Sequence, residues 1–408
     1  MKIAIIGGGA GGLAAAYACA EHAQVTIYEK QPRLGRKLLA TGNGRCNLTN
    51  QNTDLTHYHG KNTAFAQYAL EAFPPEKVEE IFASLGVATV LEDWGRVFPR
   101  SGQAQAVLDN LRLFLQLQGV EEMADTPIKS IIPTKGGFNL VSEKGKFFAD
   151  KVIIASGSAA APNLGGSMDS YQLLTDLGHQ LVPISEAIVQ LKSSFGAIKA
   201  LSGQKFNGTA QLIINDRPQR KEAGEILFTD YGLSGLPILQ LSAQAVQNLN
   251  KKKDITVALD LIPDYSLEEF LAYLTARRNM RAKISLEDFL TGFFPKRIAQ
   301  QLIKAALNTP LSRLSASLSA KELETLASTA KAWRFAISGS MGLKNAQAAS
   351  GGIATADFYP ETMESKLIKN LYACGEVLDI TGDCGGFNLQ WAWASGFLAG
   401  FSAAENTV

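Results

Sequence analysis

Three glycines near the start of the chain, Gly7, Gly9 and Gly12, have the GxGxxG spacing that can hold the phosphates of a dinucleotide. The first glycine allows a tight turn, the second leaves room for a pyrophosphate, and the third lets a helix approach the sheet. The N-terminus of that helix also presents N–H groups and a positive dipole end to the anion. Glu29 follows about twenty residues later, where a carboxylate accepts hydrogen bonds from the ribose hydroxyls. A carboxylate suits a free 2′-hydroxyl, so we expect FAD or NAD rather than NADP.

The residues around these glycines must form a strand, a turn, a helix and a second strand for this chemistry to work. Lys2–Ile6 predicts a buried strand, Leu13–Ala20 predicts a helix, and Val25–Tyr28 predicts a second strand. These parts are in register with the acidic residue, which favours a nucleotide-binding Rossmann domain over an ordinary glycine-rich turn. Glycines interrupt the apolar start of the chain and only Lys2 precedes it with a charge, so we expect no signal peptide.

Three short alternating segments later in the chain help to choose between the two cofactors. Ile128–Ile132, Phe138–Val141 and Lys146–Phe148 are separated by glycine-containing turns, so they predict a three-stranded meander. Val152–Ala155 then predicts a buried strand that ends at Ser156-Gly157. A meander that leads back into the parallel sheet is expected in FAD-type Rossmann domains, and a simple NAD-dehydrogenase core lacks it. The meander therefore favours FAD.

A polar segment rich in Gly, Asn and Arg, Gly35 to Asn50, follows the ribose-binding carboxylate directly. In FAD enzymes the chain at this place runs along the pyrophosphate and ribityl groups toward the flavin. Arg36 and Lys37 could offset phosphate charge. The loop Thr41–Asn47 could lay glycine backbone and amide donors against the ring. The alternative interpretation is an ordinary polar loop.

The C-terminal part of the chain again shows the apolar pattern of a buried strand. Leu371–Cys374 predicts this strand, Gly375-Glu376 follows it, and a glycine-dense loop, Gly382–Gly386, precedes a helix that begins near Phe387. We expect Glu376 to bind the ribityl or pyrophosphate region. The helix N-terminus would face the pyrimidine edge of the flavin and stabilise the negative charge of the reduced ring. The nucleotide domain is therefore predicted to be split.

The residues that we expect to contact the cofactor come from all of these segments. They are Gly7, Gly9, Ala10, Gly11, Gly12, Glu29, Lys30, Arg36, Lys37, Thr41, Gly42, Asn43, Arg45, Cys46, Asn47, Ile128, Ala155, Ser156, Gly157, Gly375, Glu376, Asp379, Gly385, Gly386, Asn388 and Leu389. Candidates for polar groups on the substrate side are Arg45, Tyr231 and Asn388.

Composition restricts the other classes of function. The chain of 408 residues has a net charge of +1, which gives no general attraction to nucleic acid or to an anionic membrane. Its four cysteines lack CxxC or metal-ligand spacing, so we expect no metal site and a reducing, cytoplasmic location. No apolar run is long enough for a membrane span. His57 and His59 lie in a polar stretch, where a surface position is expected rather than acid–base work.

The middle of the chain carries no nucleotide-binding signal. We predict an FAD-binding domain in two parts, 1–189 and 337–408, with a substrate or cap domain inserted at 190–336. The insert is expected to be strand-rich over 190–262 and helical over 263–336, with Ser266 and Ser319 as helix caps. The fold class is thus α/β, a three-layer split FAD-type Rossmann domain with a β-meander crossover, plus an inserted β-barrel-like and helical domain.

The chain resembles a specific family over nearly its whole length, the BaiN/YhiN-like flavoproteins, also known as NAD(P)/FAD-dependent or aminoacetone-oxidase-family oxidoreductases. The most specific segments are Thr41–Asn50 and Gly375–Ala392. The resemblance also rests on Arg96–Pro99, Gly224–Thr229, Tyr231–Gly235 and Ser350–Ile353, where Ser350 stands in place of an expected threonine. It implies non-covalent FAD in an extended form and an insert with a small barrel and a helical part that caps the flavin.

The resemblance implies a cofactor more firmly than a substrate. Some relatives look like ene-reductases of unsaturated steroid-type ketones, and others carry an amine-oxidase name. We expect an FAD-dependent oxidoreductase that transfers hydride between flavin N5 and an organic molecule, with NAD(P)H as a transient reductant and a small-molecule substrate. Two alternatives are an RNA-modifying or RNA-binding flavoprotein that uses Lys251–Lys253 and Arg277–Lys283, and a non-catalytic flavin sensor. We expect no nucleic-acid partner.

Overall fold

The predicted strand–helix–strand unit is present at the start of the chain. The computed structural model describes residues 1–405. The elements before residue 190 are, in chain order, β1 (Lys2–Ile6), α1 (Ala10–Cys19), β2 (Gln24–Tyr28), α2 (Arg36–Ala40), β3 (Thr49–Asn50), β4 (Tyr58–His59), α3 (Phe65–Ala72), α4 (Pro75–Ser84), β5 (Thr89–Leu91), β6 (Arg96–Pro99), α5 (Ala104–Leu117), β7 (Glu121–Met123), β8 (Ile128–Thr134), β9 (Gly137–Ser142), β10 (Gly145–Ala149), β11 (Lys151–Ile154), α6 (Asp169–Thr175) and β12 (Leu181–Ala187).

The remaining elements form the insert and the C-terminal return. They are β13 (Leu191–Ser193), α7 (Ile198–Leu201), β14 (Lys205–Ile214), β15 (Arg217–Phe228), β16 (Gly232–Gly235), α8 (Leu236–Asn250), β17 (Ile255–Asp260), α9 (Leu267–Met280), α10 (Lys296–Leu307), α11 (Ala320–Lys331), β18 (Trp333–Ser340), β19 (Ala348–Ile353), β20 (Leu371–Ala373), β21 (Thr381–Gly382) and α12 (Phe387–Ala404).

A five-stranded sheet in the order β20-β11-β1-β2-β7 forms the centre of the nucleotide-binding unit, and its pairings are parallel. Ile3, Ile5 and Ile153 on its central strands are buried, as parallel strands covered on both faces require. Helices α1, α5 and α12 pack together on one side, and the antiparallel meander β8–β10 contacts β1 and β11. These layers confirm the predicted split α/β fold with its meander.

The inserted segment forms a closed six-stranded barrel in the order β13-β16-β15-β14-β17-β18, with helices α9, α10 and α11 packed on one another. Both predicted caps are present. Ser266 accepts a hydrogen bond from the backbone N–H of Glu269, and Ser319 accepts one from Glu322, each in a reciprocal capping box. The barrel-like and helical insert is therefore confirmed.

Two elements differ from the sequence prediction. The apolar pattern from about Phe65 to Leu85 predicts one continuous helix, but the structure has two. Helix α4 begins at Pro75, whose ring and missing N–H suit the first helical position but not a helix interior. The last barrel strand, β18, was not predicted. Trp333, Phe335 and Ile337 are buried and alternate with exposed residues, which is the period-two signal of a half-buried strand.

By compactness, the described chain divides into Met1–Ser185 together with the chain from Ala346 onward, and Glu186–Asn345. The domain limits drawn from the sequence at residues 189 and 336 stay predictions. Within residues 1–405, no helix is both long and apolar enough to cross a membrane.

Candidate functional site

The glycine turn between β1 and α1 has the geometry that the fingerprint requires. A Cβ on Gly7, whose φ is +110°, would lie 2.3 Å from the Ala155 carbonyl oxygen, and one on Gly12 would lie 1.9 Å from the Gly7 carbonyl oxygen. Both positions therefore need glycine for packing. A Cβ on Gly9 would meet no atom within 4 Å. Space is thus present beside the N-terminus of α1, where a phosphate would bind.

The Glu29 carboxylate lies beside this turn. Its Oε2 accepts a hydrogen bond from the Gly8 backbone N–H at 2.7 Å, and its Oε1 accepts one from Gln31 at 2.8 Å. These bonds hold the carboxylate at the end of β2, the position expected for ribose recognition. Burial lowers the pKa of the neighbouring Lys30 ammonium, against the opposing effects of Glu29 and Asp169.

Lys37 and Glu376 were predicted separately as cofactor contacts, and the fold brings them together. The Lys37 Nζ lies 2.6 Å from the Glu376 Oε2, and the Ser158 hydroxyl donates to the same oxygen at 3.1 Å. Both charged side chains are half-buried. Arg36 donates instead to the Gln31 side chain and, at 3.0 Å, to the Asn163 carbonyl. The segment after β2 and the end of β20 therefore meet at one place.

The loop Thr41–Asn47 has an unusual backbone. Gly42, Asn43 and Cys46 have φ of 56°, 56° and 61°, in the left-handed region that favours glycine and asparagine. The segment from Gly42 to Arg45 is exposed, whereas Cys46 is buried and burial raises the pKa of its thiol to about 12. A neutral thiol of this kind is a poor nucleophile.

Asn47 provides an unused acceptor at the end of this loop. Its Oδ1 is buried and has no hydrogen-bond partner among the described residues. The same oxygen lies 3.0 Å from the position that a Cβ on Gly386 would occupy. Gly386 has a φ of 106° and caps the start of α12 without a side-chain hydrogen bond. A buried acceptor therefore adjoins a helix N-terminus, which fits a ligand that carries N–H groups and negative charge.

Helices α1 and α12 pack closely and run in the same direction. A Cβ on Gly396 would lie 2.5 Å from the Gly11 carbonyl oxygen, and one on Gly400 would lie 2.4 Å from that of Ala15. Because Gly11 faces Gly396 and α12 begins at Phe387, the N-terminus of α12 extends about 12 Å beyond that of α1 at about 1.5 Å per residue. Two positive helix ends therefore point the same way, separated by a distance that an extended dinucleotide would have to bridge.

The loop before α12 is held by two asparagines. Asn388 accepts from the Gly382 N–H at 2.9 Å and donates to the Gly382 carbonyl at 2.7 Å, so its amide maintains the loop. Its backbone N–H stays the group through which it is expected to reach the flavin. The Asn50 Nδ2 donates to the carbonyls of Gly385 at 2.8 Å and Trp94 at 3.2 Å. Asn50 thereby joins two loops that are far apart in the sequence.

Asp379 lies deeper in the same part of the fold and is 3% exposed. Its Oδ2 accepts a hydrogen bond from the Lys61 backbone N–H at 2.9 Å. Burial raises the pKa of this carboxyl, partly offset by the backbone hydrogen bonds from Lys61 and Gly351. The predicted cofactor role of Asp379 stays a prediction, and its observed contact fixes the chain around Lys61.

The other predicted residues occupy varied positions. Ile128 begins β8 and is 9% exposed, and Ser156 follows β11 and donates to the Ser170 carbonyl at 2.9 Å. Arg45 pairs with Glu92 and its guanidinium lies 4.2 Å from the centre of the Phe98 ring. Tyr231 lies in the barrel unit, between β15 and β16. The roles of these residues stay predictions.

A histidine–aspartate cluster, comprising His57, His59 and Asp383, was missed by the sequence reasoning. The His57 Nδ1 lies 3.2 Å from Asp383 Oδ2, and the His59 Nε2 lies 2.8 Å from Asp383 Oδ1. Asp383 is 3% exposed, and the histidine side chains are 33% and 38% exposed. Only the His-x-His spacing hinted at a shared face. The partner carboxylate comes from residues more than 300 positions away.

Cys46 and Cys384 are not joined by a disulfide in this structure. Burial and the nearby Asp383 raise the pKa of Cys384 to about 11, an effect that Arg96 opposes. In the insert, Arg278 donates to the Leu318 carbonyl at 3.0 Å and Arg277 donates to the carbonyls of Phe289 and Thr291. These two arginines of the basic segment are therefore used to hold loops of the insert.

Residues 1–402 match the family described as "HI0933-like protein Rossmann domain". The chain belongs to this family. The match covers the split nucleotide-binding unit and the insert, and it confirms the family resemblance inferred from the sequence motifs.

Two curated relatives illustrate the range of named activities. The chain is 36% identical over 410 residues to a 3-dehydro-bile acid delta(4,6)-reductase from Clostridium scindens, covering 99% of each chain. It is 29% identical over 393 residues to a ribosomal RNA dihydrouridine synthase from Escherichia coli, covering 96% of this chain and 95% of the relative. Among solved structures, a 3-ketosteroid delta1-dehydrogenase from Sterolibacterium denitrificans superposes with a TM-score of 0.51 at 13% identity, covering 98% and 99%. That similarity concerns the fold alone.

Proposed function

We propose that this protein is an FAD-dependent oxidoreductase that reduces a carbon–carbon double bond conjugated with a ketone. The observation that carries the cofactor assignment is the pair of parallel helix N-termini, with open space at Gly9 and the unused Asn47 acceptor beside Gly386. The substrate class is supported by the 36% identity to a bile acid reductase over 99% of both chains.

The residues divide the work of holding an extended FAD. The N-terminus of α1 would bind the pyrophosphate, and Glu29 would exchange its bond to the Gly8 N–H for bonds to the ribose. The Lys37–Glu376 pair would lie along the middle of the cofactor. The N-terminus of α12 would stabilise negative charge on the ring. When bound, FAD supplies the hydride and receives electrons from a reductant.

We assign NAD(P)H the role of a transient reductant. The sequence contains no second complete GxGxxG that would hold a resident nicotinamide nucleotide. A visiting dinucleotide needs no such fingerprint, since it must only meet the bound ring. To test this assignment, the FAD-loaded protein is mixed with NADH or NADPH under anaerobic conditions and the flavin absorption is recorded. We expect reduction to bleach this absorption. An unchanged spectrum with both reductants would exclude the assignment.

A second candidate substrate is a uridine in RNA, which the 29% identity to a ribosomal RNA dihydrouridine synthase supports. Saturation of the uracil ring is also the reduction of a double bond conjugated with a carbonyl, so the same flavin chemistry would serve. We favour the small-molecule substrate because the identity to the bile acid reductase is higher and because Arg277 and Arg278 hold backbone carbonyls of the insert.

One experiment tests both candidates. The purified protein is loaded with FAD, reduced with NAD(P)H, and mixed with a 3-dehydro bile acid unsaturated at positions 4 and 6, or with an unmodified ribosomal RNA fragment. We expect reoxidation of the flavin and a saturated product, detected by mass spectrometry, only with the ketone. Formation of dihydrouridine without reduction of the ketone would reverse our preference. Protein that binds no FAD would refute the proposed function itself.

A further inference from the structure

The histidine–aspartate cluster lies where the chain enters α12. Strands β4 and β21 pair antiparallel, which brings His59 opposite Thr381. The Asp383 N–H also donates to the His57 carbonyl at 2.9 Å. The His57 ring stacks on Phe387, the first residue of α12, with ring centres 4.2 Å apart and an interplanar angle of 15°. Backbone and side-chain contacts thus fix His57 beside this helix N-terminus.

The pairing defines which edge of the His57 ring can exchange a proton. The carboxylate form of Asp383 only accepts hydrogen bonds, so the His57 tautomer that pairs with it carries its hydrogen at Nδ1. The mobile proton of this imidazole is then at Nε2, on the other edge of the ring. A carboxylate in this position orients an imidazole, as in other carboxylate–histidine pairs.

The proposed reaction requires such a proton. Reduction of a double bond conjugated with a ketone adds a hydride at the β carbon and a proton at the α carbon. The hydride from reduced flavin brings both electrons, so the protein must supply only H⁺. After the transfer, a neutral imidazole would regain its proton from water. The N-terminus of α12 is the end of the composite site at which the reactive ring is expected, and His57 stacks on its first residue.

We propose that His57, oriented by Asp383, is the proton donor of the reduction. His59 is the second hydrogen-bonding partner that holds the Asp383 carboxylate in place. This assignment rests on the proposed function. It differs from the sequence-based candidates Arg45, Tyr231 and Asn388. The Asn388 amide is bonded to Gly382, and the Arg45 guanidinium is paired with Glu92.

Other titratable groups lie near this cluster. Thr56 holds the Asp54 carboxylate through side-chain and backbone hydrogen bonds that lower its pKa, and His57 lowers it further. Burial raises the pKa of the Tyr58 hydroxyl, and the nearby Asp383 carboxylate raises it further. The titratable and charged groups around the cluster are Asp54, Tyr58, Cys384 and Arg96.

The test uses the FAD-loaded, full-length protein with His57→Gln and His57→Ala, and with His22→Gln as a matched exposed control. The oxidative half-reaction is followed with the 4,6-unsaturated 3-dehydro bile acid. We expect His57→Gln to slow this half-reaction by about 10²–10⁴-fold. Reduction by NAD(P)H and the Kd for FAD should not change. Added imidazole should restore His57→Ala, which a purely structural role would not allow.

A readout independent of turnover tests the pairing. In the protein labelled with ¹⁵N-histidine and free of FAD, the hydrogen-bonded Nδ1–H of His57 should give a downfield proton resonance. Both His57→Gln and Asp383→Asn should remove this resonance, and His22→Gln should retain it. A spectrum that lacks the resonance, or that keeps it in Asp383→Asn, would overturn the pairing.

The outcomes separate this inference from the proposed function. A wild-type protein that reduces the ketone while His57→Gln reduces it equally fast would leave the function intact and overturn the proton donor. A wild-type protein that binds FAD but reduces no ketone would refute the proposed function and the donor role together. Loss of FAD binding in His57→Gln would show that the residue serves the fold, and would also overturn the proposal.

Discussion

Replacement of Gly9 by alanine should separate cofactor binding from stability. A Cβ at this position would meet no atom within 4 Å, and the residue has an extended backbone with φ of −83° that alanine adopts readily. Replacing glycine by alanine at such a position stabilises the folded protein by about 0.4–1 kcal/mol, because it lowers the conformational entropy of the unfolded chain. Alanine is a poorer N-cap than glycine, and this costs a few tenths of a kcal/mol or more. The free energy of unfolding of the cofactor-free protein should therefore change by less than about 1 kcal/mol.

The methyl group of Gly9→Ala would occupy the space in which a pyrophosphate would lie. We expect the Kd for FAD to rise at least about tenfold, which corresponds to about 1.4 kcal/mol. The assays are chemical denaturation of the cofactor-free protein and titration with FAD followed by flavin fluorescence. Equal Kd values for Gly9→Ala and the wild-type protein would refute the pyrophosphate position.

Gly12→Ala is the matched comparison, because it changes the same fingerprint by the same methyl group. Its Cβ would lie 1.9 Å from the Gly7 carbonyl oxygen, so α1 must shift away from the turn. Overpacking of this kind costs about 1–3 kcal/mol. We therefore expect Gly12→Ala to lose both stability and FAD binding. If both variants lost stability equally, Gly9 would be a packing residue as well.

Three further predictions concern the remaining charges and caps. Lys37→Met should lower the free energy of unfolding by about 1 kcal/mol and weaken FAD binding, because the half-buried Glu376 loses its cation. Denaturation and FAD titration measure the two effects, and Lys37→Arg is the control. The Arg313 guanidinium lowers the pKa of Glu322 to about 2. The stabilisation that this shift gives the folded protein is complete above the unfolded pKa near 4.5 and is lost as the pH falls toward 2. After allowance for solvent screening this is about 1 kcal/mol, and Glu322→Gln should remove that part of the pH dependence of unfolding. Ser266→Ala should cost about 1 kcal/mol in thermal unfolding and Ser266→Thr much less, since the hydroxyl caps α9.

Local sequence patterns predicted the elements whose causes are local. The alternation of Phe138–Val141 and its glycine-containing turns predicted the meander, and Ser266 and Ser319 predicted the starts of α9 and α11. The apolar pattern continues across the break between α3 and α4, and it hides the helix end that the proline pair after Phe73 imposes. Strand β18 was missed because it follows the helical part of the insert, although its alternation is regular.

The contacts that assemble the candidate site are not local, and this limits what periodicity can predict. Lys37 was expected to neutralise phosphate and Glu376 to bind the ribityl region, but their mutual pairing depends on β20 joining β11 in the parallel sheet. The His57–Asp383 pair depends in the same way on β21 joining β4. A single sequence gives each residue its chemistry and its local conformation. Strand order decides which carboxylate faces which cation. Residues more than 300 positions apart become neighbours only when β20 and β21 pair with strands from the first part of the chain.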